Sequence, residues 1–226
     1  MTSNQYTLFY FPIPGLAEAS RIALSLANLE WKDEEINREK FEQMKKSGEL
    51  PWGLVPILKT PNGTLAESSA ILRYIGKKAG LIPKDTFLAA KVDEYMDAME
   101  PNLTLLRNTF IEDLEERIQV RKSLFKENGE GTKKLKKIQQ KISESTTGWI
   151  ANTPSMTIVD LKVFTRIFGI FSGNWDGIDK TILANYQQII NYHDIVSNEP
   201  RIKAHYNNLP SDSLRWTYQP GAFSSL

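Results

Sequence analysis

Two periodicities divide this chain, and that division limits its fold more than any single motif does. Up to about residue 80, apolar runs of strand length alternate with segments of helical spacing; beyond it the spacing is helical almost throughout. Tyr6 to Phe11 is an aromatic-rich run of strand length, closed by Pro12, Pro14 and Gly15. Leu16, Ile22, Leu26 and Leu29 then recur near helical spacing, and Glu30 to Ile36 reads as a second strand. Val55 to Lys59 and Thr64 to Ala66 flank Pro61-Asn62-Gly63, the chemistry of a hairpin turn. Ser68 or Ser69 can cap a helix that carries Ile71, Leu72, Ile75 and Ala79 on one face. The order is strand, helix, strand, an irregular or helical link, strand, strand, helix. It predicts a small four-stranded mixed sheet with helices on its faces.

Gly80 to Thr86 reads as a linker, which places an α/β domain over residues 1–82 and an all-α domain over 83–226. Val92, Met96, Met99, Leu103 and Leu106 form one apolar stripe, and the next helix is expected to end near Trp149-Ile150. Glu127 to Gly131 forms the turn between those two helices. Lys133 to Lys137 (KKLKK) has no interleaved aromatic residues and reads as a solvated helix face rather than a nucleic-acid patch. Thr157-x-x-Asp160 precedes a strongly apolar helix and has the spacing of a capping box, with Met156 and Leu161 as its hydrophobic staple. Phe164, Phe168 and Phe171 make that helix the expected centre of the second domain.

Composition narrows the chemistry. The chain has 226 residues, a net charge of +1 and no cysteine. A near-neutral balance gives nucleic acid or an anionic membrane no dominant basic face to bind. The missing cysteine excludes disulfides, thiolate metal sites and thiol–disulfide exchange by the protein itself. Two histidines, His193 and His205, are little material for zinc, so no metal is expected and both are read as structural. MTSNQYTLFYF does not have the pattern of a secretion signal, and no run of about 18 apolar residues occurs, which makes a cytoplasmic location the expectation.

Three segments then carry a resemblance: YTLFYFPIPGLAEASR, LPWGLVPIL and GTLAESSAILRYI, followed at a distance by Thr157-x-x-Asp160. In this order and spacing they resemble cytosolic glutathione transferases of the tyrosine type, most of all the sigma class, with some features of the mu class. The family implies a thioredoxin-like domain followed by a helical one, usually in a homodimer. It also implies glutathione as co-substrate and a variable hydrophobic pocket for small electrophiles.

The resemblance assigns roles residue by residue. Tyr10, at the end of the first strand, takes the place of the catalytic tyrosine; without the resemblance it reads as a packed aromatic like Phe9 or Phe11. A thiol with a pKa of ~8.5 is mostly protonated at neutral pH. One hydrogen bond to a charged group, ~1.5–3 kcal/mol, lowers it by roughly one to two units. Leu16 stands where many members have an arginine near the sulfur, which leaves Tyr10 as the side-chain activator. Glu18 and Arg21 are read as structural partners on the first helix. Val55-Pro56 corresponds to the family's cis-proline turn, which offers Val55 backbone groups to glutathione. Ser68 and the helix start suit its γ-glutamyl carboxylate, and Glu67 its ammonium. Lys45, with Lys46 as the alternative, would hold the glycyl carboxylate beside Phe41. Glu100, with Asp97 as the alternative, would reach the ligand from the partner subunit. Trp52 is the candidate dimer anchor. Ile13 or Pro14, with Met99, Leu103 and Leu106, would line the electrophile pocket. The competing readings are a glutathione-dependent isomerase resembling prostaglandin D synthases, and a non-catalytic ligand carrier or crystallin.

Overall fold

Alternation along β1 (Tyr6–Tyr10) sets the layers of the first unit. Tyr6, Leu8 and Tyr10 are buried on one face, while Thr7 and Phe9 are half-buried on the other. The computed structural model describes residues 5–106, 108–210 and 212–226, so the first four residues of the N-terminal stretch read above lie outside it. It resolves into two units, the first running to Pro83 and the second starting at Lys84.

In the first unit β1 is followed by α1 (Glu18–Leu26), β2 (Trp31–Glu35), α2 (Arg38–Lys46), the hairpin β3 (Ile57–Thr60) and β4 (Gly63–Ala66), and α3 (Ser68–Lys78). The strand order is β2-β1-β3-β4, with β1 parallel to β2 and the other two pairings antiparallel. Helices α1 and α3 pack together on the Tyr6–Leu8–Tyr10 face. On that face the Lys78 ammonium lies 6.0 Å from the Tyr6 ring and the Arg21 guanidinium 5.8 Å from the Tyr10 ring. Phe9 turns the opposite way, into a cluster of Ile36, Phe41, Met44, Leu50 and Ile57 under α2. The link left open between β2 and β3 is therefore helical in part, started by Asn37, whose side chain accepts from the Lys40 amide at 2.8 Å.

Two local expectations are corrected here. Helix α1 starts at Glu18 instead of directly after Gly15, which leaves Leu16 exposed and Leu29 outside the helix. Pro12 and Pro14 hold the intervening residues in turns, and the Pro14 carbonyl takes the Ala17 and Glu18 amides. Neither Ser68 nor Ser69 caps α3. Glu67 occupies the N-cap position at φ +68°, with no side-chain bond to the first turn.

The second unit contains α4 (Thr86–Leu103), α5 (Leu114–Leu124), α6 (Glu130–Ser143), α7 (Ile158–Ile170), α8 (Gln187–Ser197) and α9 (Pro200–His205), plus 3₁₀ turns at Lys180–Asn185 and Trp216–Tyr218. Helix α7 is the centre, buried almost all round and packed on α4, α8 and the second 3₁₀ turn. Its Thr157–Asp160 capping box is formed, and the staple residues Met156 and Leu161 are both buried. On α6, Lys133, Lys136 and Lys137 face solvent while Leu135 and Ile138 face the core.

The helix boundaries differ from the stripe reading. Helix α4 ends at Leu103, so Leu106 is buried from beyond the helix, and α5 is a separate element. Helix α6 stops at Ser143 instead of Trp149-Ile150. Thr146 gives both its amide and its hydroxyl to the Asn152 side chain, Ser145 caps the Trp149 carbonyl, and Gly148 sits at φ +88°. These side-chain bonds compete with the helical ladder and end it.

Candidate active site

Strand register gathers the sheet-unit candidates at one end. Phe9 of β1 pairs with Ile57 of β3, and Ile57 pairs with Ala66 of β4. The residues one step beyond those partners, Tyr10, Pro56 and Glu67, therefore lie at the same end of the sheet, Tyr10 as the last residue of β1. The Val55–Pro56 peptide bond is cis there.

Tyr10 is 7% exposed, and its phenolic oxygen accepts the Leu16 amide N–H at 3.1 Å. A phenol that accepts such a bond becomes a better donor through its own O–H. The contact also explains Gly15. A Cβ built there would lie 2.6 Å from the Tyr10 hydroxyl, and φ is +47°, so glycine alone fits between hydroxyl and turn.

Arg21 was read as a partner of Glu18, and it is one, at 3.1 Å. The sequence did not show the rest of its surroundings. Its guanidinium also donates to the Ile13, Pro14 and Phe11 carbonyls and, through Nε, to Asp33 of β2 at 2.7 Å. The Glu-x-x-Arg spacing was the one sequence signal for this site, and it pointed only to the helical partner.

At the start of α3, Glu67 has a backbone conformation that costs a non-glycine residue ~1–3 kcal/mol, the kind of local strain that concentrates at ligand sites. Ser68 follows as the first helical residue, in a first turn to which the Glu67 side chain gives no cap bond, and the helix start carries the positive end of its dipole. Lys45 and Lys46 are both exposed near the end of α2, and the Lys45 stem passes Gly53, where an added Cβ would be 3.6 Å from Cε. Phe41 is buried among Ile36, Met44 and Leu50 and packs its ring 5.5 Å from that of Phe11. Trp52 is 72% exposed, with Leu54 exposed beside it.

The remaining candidates are less uniform. Ile13 is exposed, whereas Pro14 is buried. Met99, Leu103 and Leu106 are all buried. The Glu100 carboxylate is engaged within its own chain, 2.6 Å from the Lys162 ammonium of α7 and 3.8 Å from Arg166. Lys162 also donates to the Met96 carbonyl at 2.8 Å.

Comparison with known proteins decides the family. The model of the glutathione S-transferase N-terminal domain matches residues 4–77, and that of the glutathione S-transferase C-terminal domain matches residues 86–208. The chain belongs to the glutathione S-transferase family. It is 28% identical to glutathione S-transferase 1 of Ascaris suum over 88% of this chain and 94% of that protein. Among solved structures it resembles prostaglandin synthase D of Nilaparvata lugens, with TM-score 0.77 and 26% identity over 91% of this chain and 98% of that one. It also resembles a monomeric glutathione S-transferase of Necator americanus, with TM-score 0.72 and 25% identity over 92% and 99% of the two chains.

The transferase is thus an enzyme of a family that uses glutathione, and its architecture is the family's: a thioredoxin-like α/β domain followed by an all-helical domain. Among the described residues no group of three or more His, Asp or Glu side chains could hold a metal ion. No helix among them is long and apolar enough to cross a membrane.

Proposed function

We propose that this transferase conjugates glutathione to small hydrophobic electrophiles, with Tyr10 donating its phenolic hydrogen to the glutathione sulfur. The observation that carries the reading is the 3.1 Å bond from the Leu16 amide to the Tyr10 oxygen at the end of β1. The phenol accepts from the backbone on one side and donates to a thiolate on the other. Bringing the thiolate and an electrophile together adds the entropic advantage of a held pair. No cationic side chain stands at Leu16, so the hydroxyl carries the activation, as in the tyrosine type and the sigma class.

Around that sulfur we assign glutathione as follows. Val55, before the cis proline, offers its backbone to the cysteinyl part. Ser68 and the α3 amides take the γ-glutamyl carboxylate, and Glu67 its ammonium. Lys45 or Lys46 takes the glycyl carboxylate, near Phe41. To the electrophile side we assign Ile13, an exposed apolar side chain three residues after Tyr10, while Met99, Leu103 and Leu106 are buried within the helical unit. Trp52 and Leu54 give the sheet unit an exposed apolar pair suited to a second copy of the chain. Glu100 serves a partner's glutathione only if it lets go of Lys162. The Necator americanus relative is monomeric, so light scattering on wild type and Trp52→Ala tests the homodimer; a monomeric wild type removes the Glu100 role.

Tyr10→Phe tests the central claim. Turnover with an aryl halide falls about tenfold or more, and the pKa of bound glutathione rises by about one unit or more, because one lost hydrogen bond is worth about that much. Glutathione affinity stays near wild type. Unchanged turnover in the variant would transfer activation to the backbone and helix dipole. The likeness to the Nilaparvata lugens prostaglandin synthase favours a second reading, glutathione-dependent isomerisation of a hydrophobic substrate. Product analysis with such a substrate separates it from conjugation.

A further inference from the structure

We propose that Arg21 is a positioning residue for the Tyr10 hydroxyl, acting through the backbone of the turn between β1 and α1. The inference rests on the Tyr10 reading above.

The turn has few amide donors of its own. Pro12 and Pro14 remove two amide donors from it, and the bond from the Ile13 amide to the Phe11 carbonyl at 2.7 Å is a short local one. Its carbonyls, two of which also take backbone amides, are collected by one side chain. The Arg21 Nη1 donates to Ile13 O at 2.9 Å and Pro14 O at 3.2 Å, and Nη2 to Phe11 O at 3.4 Å. Glu18 and Asp33, at 3.1 and 2.7 Å, neutralise the charge and fix the plane of the guanidinium from α1 and β2. Arg21 itself is 3% exposed.

Ion pairing alone does not account for this arrangement. Glu18 and Asp33 would be satisfied by a cation that ignored the turn. Three carbonyls at Phe11, Ile13 and Pro14 require a planar fork with several donors in fixed directions, which lysine lacks. The segment so held leads straight into Gly15 and Leu16. Gly15 leaves just enough room for the hydroxyl, and the Leu16 amide aims at it. The same guanidinium lies 5.8 Å from the Tyr10 ring centroid, where a cation draws electron density from the ring. Arg21 therefore sets both the direction of the Leu16 amide and the field at the phenol without touching substrate.

The test is the pH profile of aryl-halide conjugation in Arg21→Lys, measured in the native and Tyr10→Phe backgrounds, with thiolate absorbance of bound glutathione as a second readout. In the native background the acid limb moves up by about one pH unit and kcat at neutral pH falls about tenfold, while KM for glutathione stays within about twofold. In the Tyr10→Phe background Arg21→Lys produces no further displacement. An unmoved profile with only a lowered Tm overturns the proposal, as does an equal displacement in both backgrounds. Where Tyr10→Phe moves the profile and Arg21→Lys does not, only the Arg21 role fails. Where Tyr10→Phe itself leaves the profile in place, the Tyr10 reading fails and takes this one with it. Should Arg21→Lys not fold, Asp33→Ala decides, since it removes only the acceptor of the Nε bond, a partly exposed partner. A smaller displacement in the same direction supports the role, and none overturns it.

Discussion

Arg21 in the sheet unit and Asp160 in the helical unit are both buried charges that collect backbone hydrogen bonds, but from opposite ends of the peptide group. Arg21 gathers the carbonyls of a proline-rich turn. Asp160 gathers the amides of Ile150 and Thr157, at 2.9 and 2.8 Å, together with the Thr157 and Tyr192 hydroxyls. Burial pushes the Asp160 carboxyl up, and these four donors pull against that. Burial, and secondarily Asp160 itself, pushes the Tyr192 phenol well up, so it stays a donor. The positions of the two hubs separate their roles. Asp160 ties the entry of α7 to the preceding loop and to α8, with no candidate site residue among its partners. Arg21 ties down the turn that touches Tyr10. One device serves folding in the helical unit and, on the proposed reading, the chemistry of Tyr10 in the sheet unit.

The largest effect that could break this comparison is on Asp160. Asp160→Ala takes the acceptor from two amides and from the Thr157 and Tyr192 hydroxyls and costs about 3–5 kcal/mol, read as a shift in urea unfolding. Conjugation per folded molecule stays near wild type. A specific loss of turnover without destabilisation would put Asp160 on the catalytic side and dissolve the contrast.

Gly15→Ala sharpens it from the other direction. The new methyl collides with the Tyr10 hydroxyl and the backbone is held at positive φ, for a stability cost of about 1–3 kcal/mol. Turnover falls about tenfold or more as the hydroxyl is displaced, a disproportionate loss that steady-state kinetics against thermal melting makes visible.

The smallest effect concerns His193. Its ring is packed against Phe164, Phe168 and Phe223, and Nε2 sits 2.8 Å from the Thr217 carbonyl, so the neutral imidazole donates there. Burial lowers its pKa below the usual 6.5, and the bonds to Thr217 and Asp194 oppose that only in part. The unfolded chain then binds the proton more readily than the native one. Stability from this group is complete above about pH 6.5 and is lost as pH falls towards the lowered native pKa, by at most about 1.4 kcal/mol per pH unit. His193→Gln flattens that acid-side slope in urea titrations between pH 7.5 and 5, and leaves the pH profile of conjugation unchanged.

Much of this arrangement could be read along the chain. The strand of Tyr6, Leu8 and Tyr10, the hairpin around Asn62-Gly63 and the Thr157–Asp160 box all depend on neighbours within a few residues, and all formed where their spacing put them. Boundaries failed where local side-chain bonds outweighed periodicity. Serine, threonine and asparagine between Ser145 and Asn152 ended α6 early, and the prolines delayed α1. At α3 the serines suggest a cap, whereas the N-cap position falls on Glu67, whose side chain makes no cap bond.

By itself, the sequence determined the two-part architecture, the order of strands and helices in the first unit, and the place of Tyr10 at a strand end, because hydrophobic period and turn chemistry are properties of consecutive residues. Only the tertiary structure decided what those residues meet. Asp33 comes to Arg21 from a neighbouring strand, Lys162 comes to Glu100 from another helix, and the Leu16 amide turns back onto the Tyr10 hydroxyl. Such partners are chosen by how packed elements converge in space. Spacing along the chain specifies which elements form, but not which polar groups they bring within about 3 Å of one another.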